Sequence, residues 1–496
     1  MTNGTGGAVR TRQDVWTLSN ADPWHPTLLW YAKAIAQMQT RPVADPTSWR
    51  YQAAIHDYTR ADDPYASASD VLPSAADQSR FWAQCQHFSW FFLPWHRMYL
   101  GCFEQIVLAA VVALGGPGDW ALPYWNYSDS NDANAAVLPP AFRAASLPDG
   151  SSNPLFVQAR DANINGGAPL DPSSVDIGCL KDGVFTGAFS GASPGFGGPK
   201  TVFNHDSGRM GGVEKTPHGD VHVNVGGDNG WMSSFDTAAL DPIFWLHHAN
   251  IDRLWEVWRG RDPGDVNPTD ADWLNAAGAT FPLHDATGAV VNYVPSQVTD
   301  TTAAPLGYVY QDISDPLATP AAAAPAAAAA AVSMPMAQPA HPPEVVGASL
   351  APTALAAAPV TEHVAIHPPV SPALRATAVG EPARRTYLNL EHITATGRAP
   401  RYGVYLNLPD GAADPHAHQT LFAGTLPMFG VAEASRSKDP HGGGGLSYVL
   451  DVTDLVARLK AEGTWDPERL HVTFAPMTPG AASGGVKVGR VSLYYH

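Results

Sequence analysis

The chain has 496 residues, of which 45% are hydrophobic and only 15% charged, with 15 Trp and 17 Phe. That is too long for one ordinary core and too apolar for disorder, so two domains joined by linker material are expected. The net charge of −17 comes from scattered acidic residues with no basic stripe, which excludes nucleic acid and anionic membrane surfaces as natural partners. No stretch is long and apolar enough to cross a bilayer. Cys85, Cys102 and Cys179 cannot close a disulfide framework. The N-terminal MTNGTGGAVRTRQDVW lacks the apolar core of a signal peptide, so a cytoplasmic location is the expectation.

In chain order, Trp24–Met38 carries helical spacing through Leu28, Leu29, Ala32, Ile35 and Ala36. A further helical piece between Ala53 and Tyr58 bears His56. The segment CQHFSWFFLPWHRMYL contains His87 and His96, and Pro94 predicts a break between them. His87 is then expected near the end of one element and His96 near the start of the next. Helical spacing resumes over Cys102–Leu114. Residues 130–200, rich in Gly, Pro, Asn and Ser, read as loop. Asp241-Pro242 opens a strong helix over IFWLHHANIDRLWEVW. Residues 316–383 read as an Ala/Pro-rich linker. From 384 to 496, YLNLEHI, YGVYLNL, LSYVLDV, LHVTFAP and VGRVSLYY alternate with period two, interrupted by one helix, Val452–Lys460. The expected fold is a mainly α domain, 1–315, built as a four-helix bundle with long loops, plus a C-terminal antiparallel β-sandwich, 384–496.

Histidine carries the chemistry. His218 and His222 lie four apart in PHGDVHV, so on a helix they share a face and can hold one metal. His247 and His248 are adjacent and point about 100° apart on a helix, so one metal takes only one of them. His248 has Asp252 one turn on, a carboxylate placed to support a ligand from behind. His247 then reads as a packed or hydrogen-bonded histidine. His56, His87 and His96 make a second group among aromatics. Imidazole suits Cu, Zn, Fe and Ni alike, so ligand type alone leaves the metal open. Neutral ligation without a bridging carboxylate favours a redox-active copper pair over a dizinc hydrolase.

HFSWFFLPWHRMYL and DPIFWLHHANIDRLW resemble the two copper-binding signatures of the tyrosinase and polyphenol oxidase family of type-3 copper proteins. The resemblance implies His56, His87 and His96 on the first copper and His218, His222 and His248 on the second. LGYVYQD resembles the family's tyrosine motif at the end of the core, and VYLNLPD, LFAGTLPMFG and LSYVLDVTDL resemble the β-domain that covers the active-site mouth in larger members. It further implies a thioether between Cys85 and His87, the alternative being a plain buried thiol. Phe235 is implied as a gate over one copper, the alternative being core packing, and Glu214 as the residue that orients a water, the alternative being a solvated loop position. Gly219 departs from the Asn that many monophenol hydroxylases carry after the first ligand of the second site, and Val223 after His222 is also apolar. That puts monophenol hydroxylation in doubt and opens space for substrates such as o-aminophenols.

The expected activity is therefore oxidation of phenols and o-diphenols by O2 to o-quinones with two copper ions. The alternatives are an o-aminophenol oxidase and, from a different class, a haemocyanin-like oxygen carrier. The expected partners are a small phenol and O2, with a homo-oligomer left open. A β-domain that inserts a side chain into the pocket would keep the enzyme latent.

Overall fold

The computed structural model describes residues 9–203, 208–318, 342–370, 385–409, 411–412, 414–436, 443–478 and 484–496. Its helical part is organised around α1 (Pro26–Gln39), α2 (Trp49–His56), α3 (Phe92–Ala113), α4 (Asp220–Gly226) and α5 (Pro242–Arg261). Ser48 caps α2 by accepting the N–H of Tyr51, and Asp241 caps α5 by accepting that of Ile243, with Pro242 in the first position where no N–H is needed. Both α3 and α5 are buried over most of their circumference, so they run through the interior rather than along its surface. Trp245 of α5 stacks on Phe103 of α3 with centroids 3.4 Å apart.

Pro94 does not break a helix. It lies in the first turn of α3, where its missing N–H costs no intrahelical bond, and α3 then continues to Ala113. The chain before it is irregular, so His96 does sit near the start of an element, but His87 sits in a loop and not at the end of a helix. That loop is tied to α2 by the N–H groups of Ala83 and Gln84, which donate to the carbonyls of Ala54 and Ile55.

Strands β1 (Arg10–Arg12) and β2 (Tyr308–Tyr310) pair in parallel, closing the start of the chain against the end of the helical part. They bring Arg12, Tyr308 and Tyr310 onto Asp252. Both tyrosine hydroxyls donate to its Oδ2 at 2.5 Å, and Arg97 of α3 donates to its Oδ1 at 2.5 Å. Arg12 also reaches Glu104 at 2.6 Å, and every one of these side chains is buried.

The C-terminal part holds β3 (Glu344–Ala348), β4 (Val360–Ala365), β5 (Thr386–Ile393), β6 (Tyr402–Leu406), β7 (Phe422–Leu426), β8 (Leu446–Asp451), β9 (Arg469–Pro476) and β10 (Arg490–Tyr495), with α6 (Thr453–Ala461) between β8 and β9. They form two four-stranded antiparallel sheets, ordered β7-β6-β9-β4 and β8-β5-β10-β3. Leu388, Leu390, Val404, Leu406, Val472, Phe474, Val491 and Leu493 are fully buried.

The expected linker needs correcting. Within 316–383, β3 and β4 are strands of the two sheets, so the β-part begins near residue 342, while 319–341 and 371–383 lie outside the described residues. Both strands are at sheet edges, where one side needs no partner and few apolar residues are required, so their Ala/Pro surroundings mask them. Among the described residues no helix is long and apolar enough to cross a membrane.

Candidate metal centre

The elements above place the expected ligands around one interior volume. His56 ends α2, His87 comes from the loop before α3, and His96 lies in the first turns of α3. His218 sits in a wide turn, Glu214–Gly219, that leads into α4, which carries His222, and His248 lies on α5. All six rings are at most 3% exposed.

The first three rings have centroids 5.1–5.9 Å apart and the second three 4.6–5.4 Å apart. Five rings hold Nδ1 against a fixed neighbour: the carbonyls of Phe235, Phe92, Glu214 and Met232 for His56, His96, His218 and His222, and the Cys85 Sγ at 3.2 Å for His87. A carbonyl acceptor there requires the proton on Nδ1 and leaves the Nε2 lone pair free. Among the described residues, the Nε2 atoms of His56, His96 and His218 are buried with no hydrogen-bond partner, and those of His222 and His248 face each other at 3.2 Å. Burial pushes the His56 pKa down to about 4 and lowers those of His96, His218, His222 and His248 well below the usual range, so the rings are neutral and able to ligate. Buried, unprotonated nitrogens converging without a counter-charge are what a cation site needs.

His247 also falls within 4.8 Å of the ligand atoms of His218, His222 and His248, so distance alone does not choose between the adjacent pair. Two contacts favour His248. Its Nε2 lies 3.2 Å from that of His222, while both ring nitrogens of His247 lack a hydrogen bond among the described residues and its plane is 17° from that of His218. His248 stands at 73° to His218 and 64° to His222, converging with them, and its ligand atom also lies within 4.8 Å of those of His56 and His96. His248 thus faces both groups.

Asp252 is not where the sequence suggested. Its carboxylate is occupied by Arg97, Arg12, Tyr308 and Tyr310, and among the described residues His248 Nδ1 has no hydrogen-bond partner. A helical repeat places Asp252 on the side of His248, but the buried arginines compete for its charge and win. Because Arg97 follows His96, the Arg97–Asp252 pair instead locks the two ligand helices in register.

Glu214 is fully buried, so the solvated reading is excluded. Its Oε1 accepts the Phe88 N–H at 2.8 Å, its Oε2 has no hydrogen bond among the described residues, and burial pushes its carboxyl up to about 8 against the opposing Phe88 and Gly211 N–H groups. Phe235 stacks on His87 at 4.4 Å with planes 15° apart. Val223 is buried one position after His222. A side chain at Gly219 would meet Pro427 of the β-part at 3.4 Å, so the space expected there for bulky substrates is filled.

Phe429 is the residue that sequence reasoning did not find. The loop after β7 turns sharply at Met428 and Gly430, both with positive φ, and drives the Phe429 ring among the ligands. That ring stacks on His222 at 4.0 Å with planes 11° apart and meets Phe235 at 4.5 Å. A side chain on Gly430 would lie 2.4 Å from the Phe235 ring, so only glycine lets the loop approach. The Pro-Met-Phe-Gly turn is visible as a turn signal, but nothing local says what it points at.

Two facing groups of three neutral imidazoles, with no bridging carboxylate among the described residues, fit a dinuclear metal centre and favour a copper pair. Comparison with known proteins makes this specific. Residues 46–261 match the common central domain of tyrosinase, and residues 342–496 match a domain of unknown function (DUF7868). The chain is 34% identical over 504 residues to a tyrosinase of Hahella sp., covering 98% of this chain and 99% of that one. It is 30% identical over 307 residues to a chloroplastic polyphenol oxidase of Malus domestica, covering 58% of this chain and 46% of that one. The solved structure of a latent apple tyrosinase superposes with a TM-score of 0.62 at 24% identity, covering 100% of this chain and 99% of that one. The chain belongs to the tyrosinase family, and it is a copper-dependent phenol oxidase.

Proposed function

We propose that this enzyme is a latent catechol oxidase that uses O2, with His56, His87 and His96 on one copper and His218, His222 and His248 on the other. The observation that carries this reading is the Phe429 ring, a flat aromatic lying parallel to His222 where a phenol ring would lie. The pocket is thus shaped for a planar six-membered ring, and in the latent state the β-part fills it.

Bound copper would supply the two-electron chemistry by which an o-diphenol becomes an o-quinone. The chain does the rest. Its neutral imidazoles bind without taking part in proton transfer, and the aromatic walls of Phe92, Phe235 and Phe244 exclude water from the reacting centre. Phe235 restricts access above His87, Val223 closes the wall beside His222, and the Oε2 of Glu214 orients a water. Cys85 forms a thioether with His87, supported by the 3.2 Å approach of its sulfur to the ring, and so fixes that loop ligand. Gly219 offers no side chain to help deprotonate a monophenol, which favours o-diphenols over tyrosine.

The test is oxygen uptake by copper-loaded full-length protein and by Phe429→Ala on tyrosine, a catechol and an o-aminophenol. Catechol turnover should rise by about tenfold or more in Phe429→Ala, equivalent to roughly 1.4 kcal/mol, and exceed tyrosine hydroxylation throughout. Equal activity of the two proteins ends the latency reading, and rapid tyrosine hydroxylation ends the substrate preference.

A further inference from the structure

We infer that the β-domain is a working part of the second copper site: Arg401 and Thr425 grip Asp220 and thereby hold the turn that carries His218 and His222. This rests on the ligand assignment proposed above. Asp220 lies midway between the two ligands and is fully buried. Its Oδ2 accepts from the hydroxyl of Thr425 at 2.6 Å and from that of Thr216 at 2.7 Å, and its Oδ1 accepts from Arg401 Nη1 at 3.4 Å. Thr216 belongs to the turn before His218, so one carboxylate ties that turn, α4 and two β-domain side chains together.

The β-domain side of the grip is rigid. Thr425 is on β7 and pairs with Gly403 of the neighbouring β6, while Arg401 directly precedes β6 and its carbonyl accepts the Met477 N–H at 2.9 Å. Arg401 is 5% exposed and Thr425 3% exposed. Without them, Asp220 keeps the Thr216 hydroxyl and the more distant charge of Lys215, and a buried carboxylate that loses its hydrogen-bonded cation is strongly unfavourable. The relief available is for Asp220 to turn toward water, which displaces the backbone on either side of it, where both ligands are attached.

The first site has no bond to Asp220, and its link to the same turn is the Phe88 N–H on Glu214 Oε1. His56, His87 and His96 are oriented by Phe235, Cys85 and Phe92, all in the helical part. Arg401 and Thr425 are therefore positioning residues for one copper and not the other, and the β-domain both covers the centre and supports half of it.

The experiment follows copper leaving the loaded full-length protein into a chelator, with the electron paramagnetic resonance signal of isolated Cu(II) reporting one-copper species. His222→Ala, with only the first group intact, supplies the reference spectrum. Arg401→Met and Thr425→Val should release the second copper roughly 10- to 100-fold faster than wild type, the range for residues that orient a ligand from behind. They should pass through a species with the reference spectrum, and Arg401→Lys should restore most of the retention. Phe429→Ala, which leaves the bonds of Asp220 intact, should retain copper like wild type.

Wild-type release rates in both variants overturn the inference, as does simultaneous loss of both ions. So does release from Phe429→Ala as fast as from Arg401→Met, since the covering ring would then be what retains the metal. Should Arg401→Met fail to fold, Thr425→Val preserves shape while removing one hydroxyl and decides alone. Wild-type protein that binds fewer than two coppers overturns the ligand assignment itself, a failure distinct from the others.

Discussion

The adjacent His247 and His248 show how a one-residue difference decides chemistry. His248 converges with His218 and His222, whereas His247 lies flat against the face of His218. His248→Ala should leave one copper per chain and abolish phenol oxidation, while His247→Ala should keep two; copper content after dialysis checks both. Cys85 gives a second prediction at this scale. Copper-loaded wild type exposed to O2, the two-electron oxidant that takes up the thiol and ring hydrogens, should yield a Cys85–His87 peptide lighter by two hydrogen atoms and resistant to alkylation, and Cys85→Ser should lose that mass change and hold the first copper more weakly. Mass spectrometry reads the first effect and chelator titration the second. Residue types and spacings were legible in the sequence, but ring orientation was not, because it follows from which carbonyl or sulfur each Nδ1 meets.

At the scale of elements, the ligand helices are locked by a buried charge network that the sequence suggested only in part. Asp252 was visible one turn after His248, and the tyrosine motif at 308–310 marked the end of the core. Only the parallel pairing of β1 with β2 shows that Arg12, Tyr308 and Tyr310 meet Asp252. Asp252→Asn keeps the shape and removes the charge, leaving Arg97 and Arg12 short of a partner in a dry interior. It should cost about 3 kcal/mol of stability, seen as a lower denaturation midpoint and, through loss of register between α3 and α5, as weaker copper retention at both sites. Caps and hydrophobic period announced α5 correctly because those signals are local. They misjudged Pro94, since a proline that ends one helix and a proline in the first turn of the next look alike until the preceding chain is seen to be irregular. The edge strands β3 and β4 escaped notice because strands buried on one side only need little apolar sequence.

Across the whole molecule, the helical part and the β-part share buried polar contacts as well as the Phe429 ring. Near that ring, Glu433 meets Ser234 at 3.4 Å, with Asp62, Asp236, Arg398 and Arg436 around the same cavity of about 480 Å³. Burial first, and then Asp236, raises the pKa of Glu433; burial and Asp62 raise that of Asp236, and the two arginines oppose both shifts. A carboxyl whose pKa is raised on docking binds more protons docked than free between its ordinary and its raised pKa. Docking is therefore strongest at low pH and weakens as pH rises through that window. Catechol oxidation by the full-length enzyme, expressed relative to Phe429→Ala, should increase with pH above the ordinary carboxyl range, and Glu433→Gln should flatten that dependence.

What the sequence by itself determined is the phenol oxidase class and the class of fold. Six imidazoles at ligand spacing, long aromatic motifs around them and a period-two C-terminal half are local patterns, and they survive in the structure. What only the tertiary structure decided is how the two halves act on one another: Phe429 against His222, Pro427 filling the space beside Gly219, and Asp220 held by Arg401 and Thr425. The physical reason is separation along the chain. These contacts join residues some two hundred positions apart, through a loop turn and two strand edges whose direction is set by packing, and no local periodicity encodes where such a turn will point.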